Sequence, residues 1–384
     1  MNSDQKEYSG TVSQTVRPPR MANYELLRIV AMFMVVCLHY LSNADVLTRT
    51  GAPAGTVQVL ANLFEALCIA SVNVYVLITG YFLSKSGFRF GRILSLMLEI
   101  LFYTLLIPLV LSLIGIPLYA GNAWQLWFYI FPVSMESYWF ITAYVILYLL
   151  SPLLNAGIEK LSGRQLKLVI IGLLFFYCFM PSVSPVRLTF DRFGYDFGWF
   201  IVLYLIAGYI RKYGMTRIDS LRKGAILFAG SAAGIWAISL ILHYIAYNYR
   251  SLQYYADVPF HYNFILCLTS AIGLFFMFRN IRIREGVAAK LIRYAAPLTL
   301  GVYIIHENVD IRDRWLPSLT KFFGAVPQNG LIIFHMLICV LTVFVLCMAV
   351  DFIRSIFFAY VSRNMANTKL ARKVDAIFGT KNRE

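Results

Sequence analysis

The sequence predicts an all-α membrane protein that crosses the bilayer about ten times, with both termini in the cytoplasm. Three observations predict it. Of 384 residues, 59% are hydrophobic and only 14% are charged, and mean hydropathy is +0.68, whereas a soluble chain is about a quarter charged. Apolar runs of bilayer length, roughly 17–25 residues, recur between short polar loops. Finally, the basic residues gather in every second loop.

The runs fall at about 24–42, 59–83, 93–118, 138–156 and 166–182, then at 197–213, 223–247, 260–279, 290–307 and 331–359. The ninth is the weakest, because Lys290 and Arg293 shorten its apolar core and Pro297 interrupts it. Ten crossings return the chain to its starting side. With the N-terminus inside, most of the 34 Lys and Arg residues fall in cytoplasmic segments. The outer loops hold only Arg49, Arg187, Arg192, Arg250, Arg312, Arg314 and Lys321. That asymmetry fixes the direction. The loops leave no room for an inserted soluble domain. The expected organisation is a cytoplasmic polar tail over 1–20, one transmembrane domain over 21–361 and a second cytoplasmic tail over 362–384. Residues 1–20 are polar and Arg28 breaks the following apolar run, so no signal-peptide pattern is expected.

A formal charge of +15 would point to nucleic acid in a soluble protein. Here it follows from the cytoplasmic loops, so the partners expected are membrane lipids and not nucleic acid. Cys37, Cys68, Cys178, Cys267, Cys339 and Cys347 all lie in apolar runs without metal-ligand spacing, as buried small hydrophobes do. No metal site is expected from the spacing.

Chemistry is concentrated in the first run. Arg28 and His39 have ten residues between them, close to three helical turns, so both project from one face with an offset of roughly 16 Å. Ionisable groups inside a span are costly and mark functional pathways. The guanidinium fork suits phosphate or carboxylate, and an imidazole can take a proton from a hydroxyl near neutral pH. Alternatively, Arg28 pairs with Glu25 or with Glu99 at similar depth, and His39 is a hydrogen-bonded interhelical residue.

The pair resembles the hallmark of the acyltransferase-3 family of integral membrane acyltransferases, which includes bacterial enzymes that O-acetylate surface polysaccharides. Tyr24-Glu-Leu-Leu-Arg28 with His39 looks like the family's opening helix. Val76-Leu-Ile-Thr-Gly-Tyr-Phe-Leu83 resembles its second-helix ending, with Thr79 where Ser is common. Arg89-Phe-Gly-Arg92 is similar to its cytoplasmic Arg-x-x-Arg. Trp139-Phe140, Tyr148 and Pro152 echo a mid-chain pattern, and Gly301-Val-Tyr-Ile-Ile-His306 looks like the late Tyr-x-x-His. Together they cover residues from about 20 to 360.

The resemblance implies an enzyme of the bacterial plasma (inner) membrane, without a permanently bound cofactor. Acetyl-CoA or another acyl-CoA would be the donor substrate, and a glycan or lipid-linked sugar the acceptor. His39 would be the catalytic base, Arg28 would line the donor's route, and Arg89 and Arg92 would hold the phosphates of CoA. His306, beside Glu307, Asp310 and Asp313, is expected on an acidic outer rim that takes sugar hydroxyls. Glu136 and Trp139 lie in an aromatic loop suited to carbohydrate stacking, although an interfacial belt uses the same residues. The competing reading is a transporter of a small polar solute or lipid-linked sugar, which would move solute without acyl-CoA. His243, His261 and His335 carry no motif and are expected to be structural.

Overall fold

The computed structural model describes residues 20–47, 54–184, 186–249 and 253–366, together with Lys373. The regular structure among them is helical throughout. In chain order the long elements are α1 (Ala22–Asn43), α2 (Thr56–Cys68), α3 (Ser71–Leu83), α4 (Phe90–Leu113), α5 (Trp139–Lys160) and α6 (Gly163–Leu174). They continue with α7 (Phe197–Tyr213), α8 (Leu221–Asn248), α9 (Ile265–Arg279), α10 (Val287–Ala295), α11 (Thr299–His306) and α12 (Ile332–Ala366).

Among the described residues, nine helical units are long and apolar enough to cross a bilayer. α2 with α3 makes one of them, and α10 with α11 another. Nine of the ten expected spans thus reappear within a few residues. The tenth, 197–213, is α7, a 17-residue helix at the short end of what can cross. Its Trp199, Phe200, Leu203, Tyr204 and Ala207 are all buried, so α7 runs through the protein interior. The ninth unit stops at His306, one residue short of the expected end. α12 extends to Ala366, past the expected boundary at 361. The predicted tail over 1–20, except Arg20, and the part of the second tail beyond Ala366, except Lys373, lie outside the described residues.

Small residues bring the inner helices together, as they do where no hydrophobic effect separates protein from lipid. A Cβ on Gly80 of α3 would sit 2.8 Å from the Ala207 Cβ of α7. Gly224 of α8 and Gly273 of α9 face each other's backbones, where an added Cβ would come within 2.5 Å of a peptide nitrogen. The outward faces of α4, α6, α8 and α12 carry Leu109, Ile171, Ile241 and Phe334 in the open. Such surfaces suit lipid and would be an aggregation hazard in water.

Polar contacts tie helix ends and loops together at one end of the bundle. Asn23 donates to the Phe278 and Arg279 carbonyls at 3.2 and 3.0 Å, and Arg293 donates to the Arg20 carbonyl at 2.7 Å. Lys212 donates to the Ile158, Glu159 and Leu161 carbonyls at 2.7–3.0 Å. At the other end Asn43 donates to the Arg312 carbonyl at 2.8 Å.

Candidate active site

α1 carries Arg28 one and a half turns from its start and His39 one turn from its end. α11 ends on His306, and Glu307 follows at the helix terminus. Two devices hold that terminus. Tyr138, the residue before α5, donates its hydroxyl to the Ile304 carbonyl at 3.0 Å and accepts from Asn308 at 3.2 Å. Gly301 lies directly against the Asp351 side chain of α12, closer than any Cβ would allow.

The result is a three-group cluster. His39 Nδ1 lies 2.8 Å from His306 Nε2 and 3.1 Å from Glu307 Oε1. His306 Nδ1 lies 2.6 Å from the Val302 carbonyl, which can only accept. In the neutral ring the His306 Nδ1 therefore carries the hydrogen and its Nε2 offers a lone pair. Glu307 as a carboxylate also only accepts. Both neighbours are thus served by one donor, the Nδ1–H of His39, and His39 Nε2 keeps a free lone pair. This tautomer assignment follows from the hydrogen-bond network. It leaves His39 in the state a general base requires, with an acidic partner behind it as in acyl-transfer triads. Burial pushes the Glu307 carboxyl up to about 7, with Arg312 pulling in the opposite direction.

His39 is surrounded by protein and yet 26% of its side-chain surface remains accessible. Tyr75 and Tyr144 are likewise enclosed but only partly buried. A continuous wall of rings connects the two ends: Tyr75 to Phe140, 6.1 Å; Phe140 to Tyr303, 6.1 Å; Tyr303 to His306, 6.2 Å; His306 to His39, 5.0 Å. Tyr75 donates its hydroxyl to the Arg28 carbonyl at 2.7 Å. The Tyr144 hydroxyl lies within electrostatic reach of both Arg28 and Arg92. A series of ring contacts thus runs from Tyr75, bonded to the Arg28 backbone, to His39, and Arg92 is exposed.

The other predicted residues are placed as follows. Arg89 is half-buried and its backbone N–H and carbonyl both bond the Tyr148 hydroxyl at 3.1 Å, which ties the Arg-x-x-Arg loop to α5. Trp139 is half-buried in a cluster with Tyr195 at 4.5 Å and Tyr262 at 5.6 Å, and Tyr195 opens to the surface. Glu136 is exposed, with a left-handed backbone (φ 50°). Arg28 is ion-paired with Glu25. Glu99, the other partner considered, is engaged instead by Arg354 at 3.0 Å, because α4 packs on α12 and not beside Arg28.

Sequence reading placed Glu307 on the outer rim and missed its contact with His39; the only signal was its position next to His306. Tyr75 and Tyr144 gave no signal at all. The acyltransferase-domain model of the acyltransferase-3 family matches residues 21–354, the whole stretch from the start of α1 into α12. The chain belongs to the acyltransferase-3 family. No curated protein and no solved structure matches it. Membership makes the chain a membrane acyltransferase.

Proposed function

We propose that this acyltransferase moves an acyl group, acetyl in the first instance, from cytoplasmic acyl-CoA to a hydroxyl of a surface glycan or its lipid-linked precursor. The bacterial inner membrane, with both termini cytoplasmic, is its proposed setting. One observation carries the reading: His39 has its Nδ1 engaged and its Nε2 free, at the far end of a series of ring contacts that begins at Tyr75 beside Arg28. Arg89 and Arg92 hold the phosphates, Arg28 lines the path, and the long pantetheine arm spans the offset to His39. The acceptor hydroxyl gives its proton to His39 Nε2 while its oxygen bonds the thioester carbonyl carbon. The C–S bond then breaks, and the departing thiolate takes that proton back. Glu307 stabilises the transient imidazolium. On the acceptor side the Trp139–Tyr195 face suits a sugar ring, with exposed Glu136 and the His306 end of α11 bordering it.

The test is transfer from labelled acetyl-CoA to isolated surface glycan or its lipid-linked precursor by the purified protein. An alkali-labile labelled ester is expected; acyl-CoA left intact with every acceptor fraction would overturn the reading. A transporter would instead show solute flux without acyl-CoA.

The donor end makes a separate prediction. Changing Arg89 and Arg92 together to Ala should weaken CoA binding about tenfold or more, since charge-assisted hydrogen bonds contribute about 1.5–3 kcal/mol each before water competition. Calorimetry with CoA measures this, and an unchanged affinity removes the two arginines from the donor site.

A further inference from the structure

We infer that His39, His306 and Glu307 form a binding site for a divalent transition-metal cation, zinc foremost, and that the bound ion switches acyl transfer off. The inference rests on the same site as the proposed activity, but the binding claim stands without it.

The donor atoms are already assembled. One ligand-type atom from each of the three side chains lies within 4.8 Å of the others, and the separations from His39 Nδ1 are 2.8 and 3.1 Å. Tetrahedral zinc with bonds of about 2.0–2.1 Å separates its ligands by roughly 3.3 Å. The two separations from His39 are therefore within about half an ångström of tetrahedral spacing. Two imidazoles and one carboxylate are a ligand set zinc uses with a fourth, open position. His306 is also supported as metal-binding histidines are. Its Nδ1–H donates to the Val302 carbonyl at 2.6 Å, which fixes the ring and aims the Nε2 lone pair at the site. Access is available, since 26% of the His39 side chain and 20% of Glu307 are open.

Proton bookkeeping supplies the inhibition. In the ion-free site the His39 Nδ1 carries hydrogen and Nε2 is the free base. To bind metal, Nδ1 must offer its lone pair, so the hydrogen moves to Nε2 of the same ring and no net proton is lost. An Nε2–H cannot accept a proton from an acceptor hydroxyl. The ion also takes Glu307, the group that would steady the imidazolium. Metal occupancy and general-base function exclude each other at one ring.

The test uses tag-free protein in detergent, stripped with EDTA, titrated with ZnCl2 by calorimetry and with CoCl2 by visible absorption. One saturable equivalent is expected, with the d–d bands of tetrahedral Co2+. His306→Gln and Glu307→Gln should each lower the affinity about tenfold or more. His243→Gln should leave it unchanged, as that buried histidine stands apart from the cluster. Where transfer is measurable, zinc should inhibit it in step with occupancy and EDTA should restore it. Absence of saturable binding to the wild-type protein overturns the inference, as does binding that survives both cluster variants. Transfer that continues at full zinc occupancy overturns the switch. Binding without any transfer activity would sink the proposed function and leave the metal site standing.

Discussion

His39→Ala should lower acyl transfer by about 10²–10⁴-fold, the usual worth of a positioned general base, and leave CoA affinity unchanged. The two outcomes separate because the phosphate site proposed at Arg89 and Arg92 does not involve His39. Single-turnover transfer from labelled acetyl-CoA, read beside calorimetry, reports both. Glu307→Gln should be milder. Its amide oxygen still accepts the Nδ1–H and preserves the tautomer, but the carboxylate charge that steadies the imidazolium is gone. A hydrogen bond to a charged group is worth about 1.5–3 kcal/mol, which corresponds to roughly a 10–100-fold loss. Full activity in His39→Ala would assign the proton transfer to another group. Equal losses in both variants would indicate that Glu307 sets the ring's position and not only its charge.

Much of this was legible in the sequence because bilayer crossing imposes a one-dimensional pattern. Apolar length gave nine spans within a few residues, and helical period put Arg28 and His39 on one helix three turns apart. The exception on length, α7, is instructive: hydropathy measures how apolar a segment is and does not say whether lipid or protein surrounds it. Lateral arrangement was not legible. Glu99 and Arg28 sit at similar depths, but depth does not specify which helices are neighbours, and Glu99 went to Arg354. His39 and His306 are 267 positions apart, and only packing of α11 against α1 brings them together. Glu307 lies beyond the last helical residue, where periodicity no longer predicts direction, so its turn toward His39 was invisible. The metal-type cluster was hidden for the same reason, since its members come from two segments with no local spacing.

The second large effect is expected far from the chemistry. Arg354→Met should destabilise the protein by about 3–5 kcal/mol, the cost of leaving buried charges without their partner. Asp351 is fully buried. It accepts from the Tyr103 hydroxyl at 2.7 Å and from Arg354 Nε and Nη2 at 2.6 and 3.1 Å. Glu99 leans on the same guanidinium. Without the arginine, two carboxylates remain enclosed between α4 and α12. The same aspartate packs on Gly301, where a Cβ would fall 2.1–2.5 Å from its atoms. Gly301→Ala must therefore push α11 away from α12, and the helix that shifts is the one presenting His306 to His39. Thermal unfolding in detergent should show a lower midpoint for both variants, and Gly301→Ala should also lose transfer with His39 untouched. Neutralising the whole group, as Glu99→Gln, Asp351→Asn and Arg354→Met together, should recover most of the midpoint, because uncharged partners remove the penalty that the single change exposes. Failure to recover would mean that the ions are needed for the packing of α4, α11 and α12 and do not merely compensate one another.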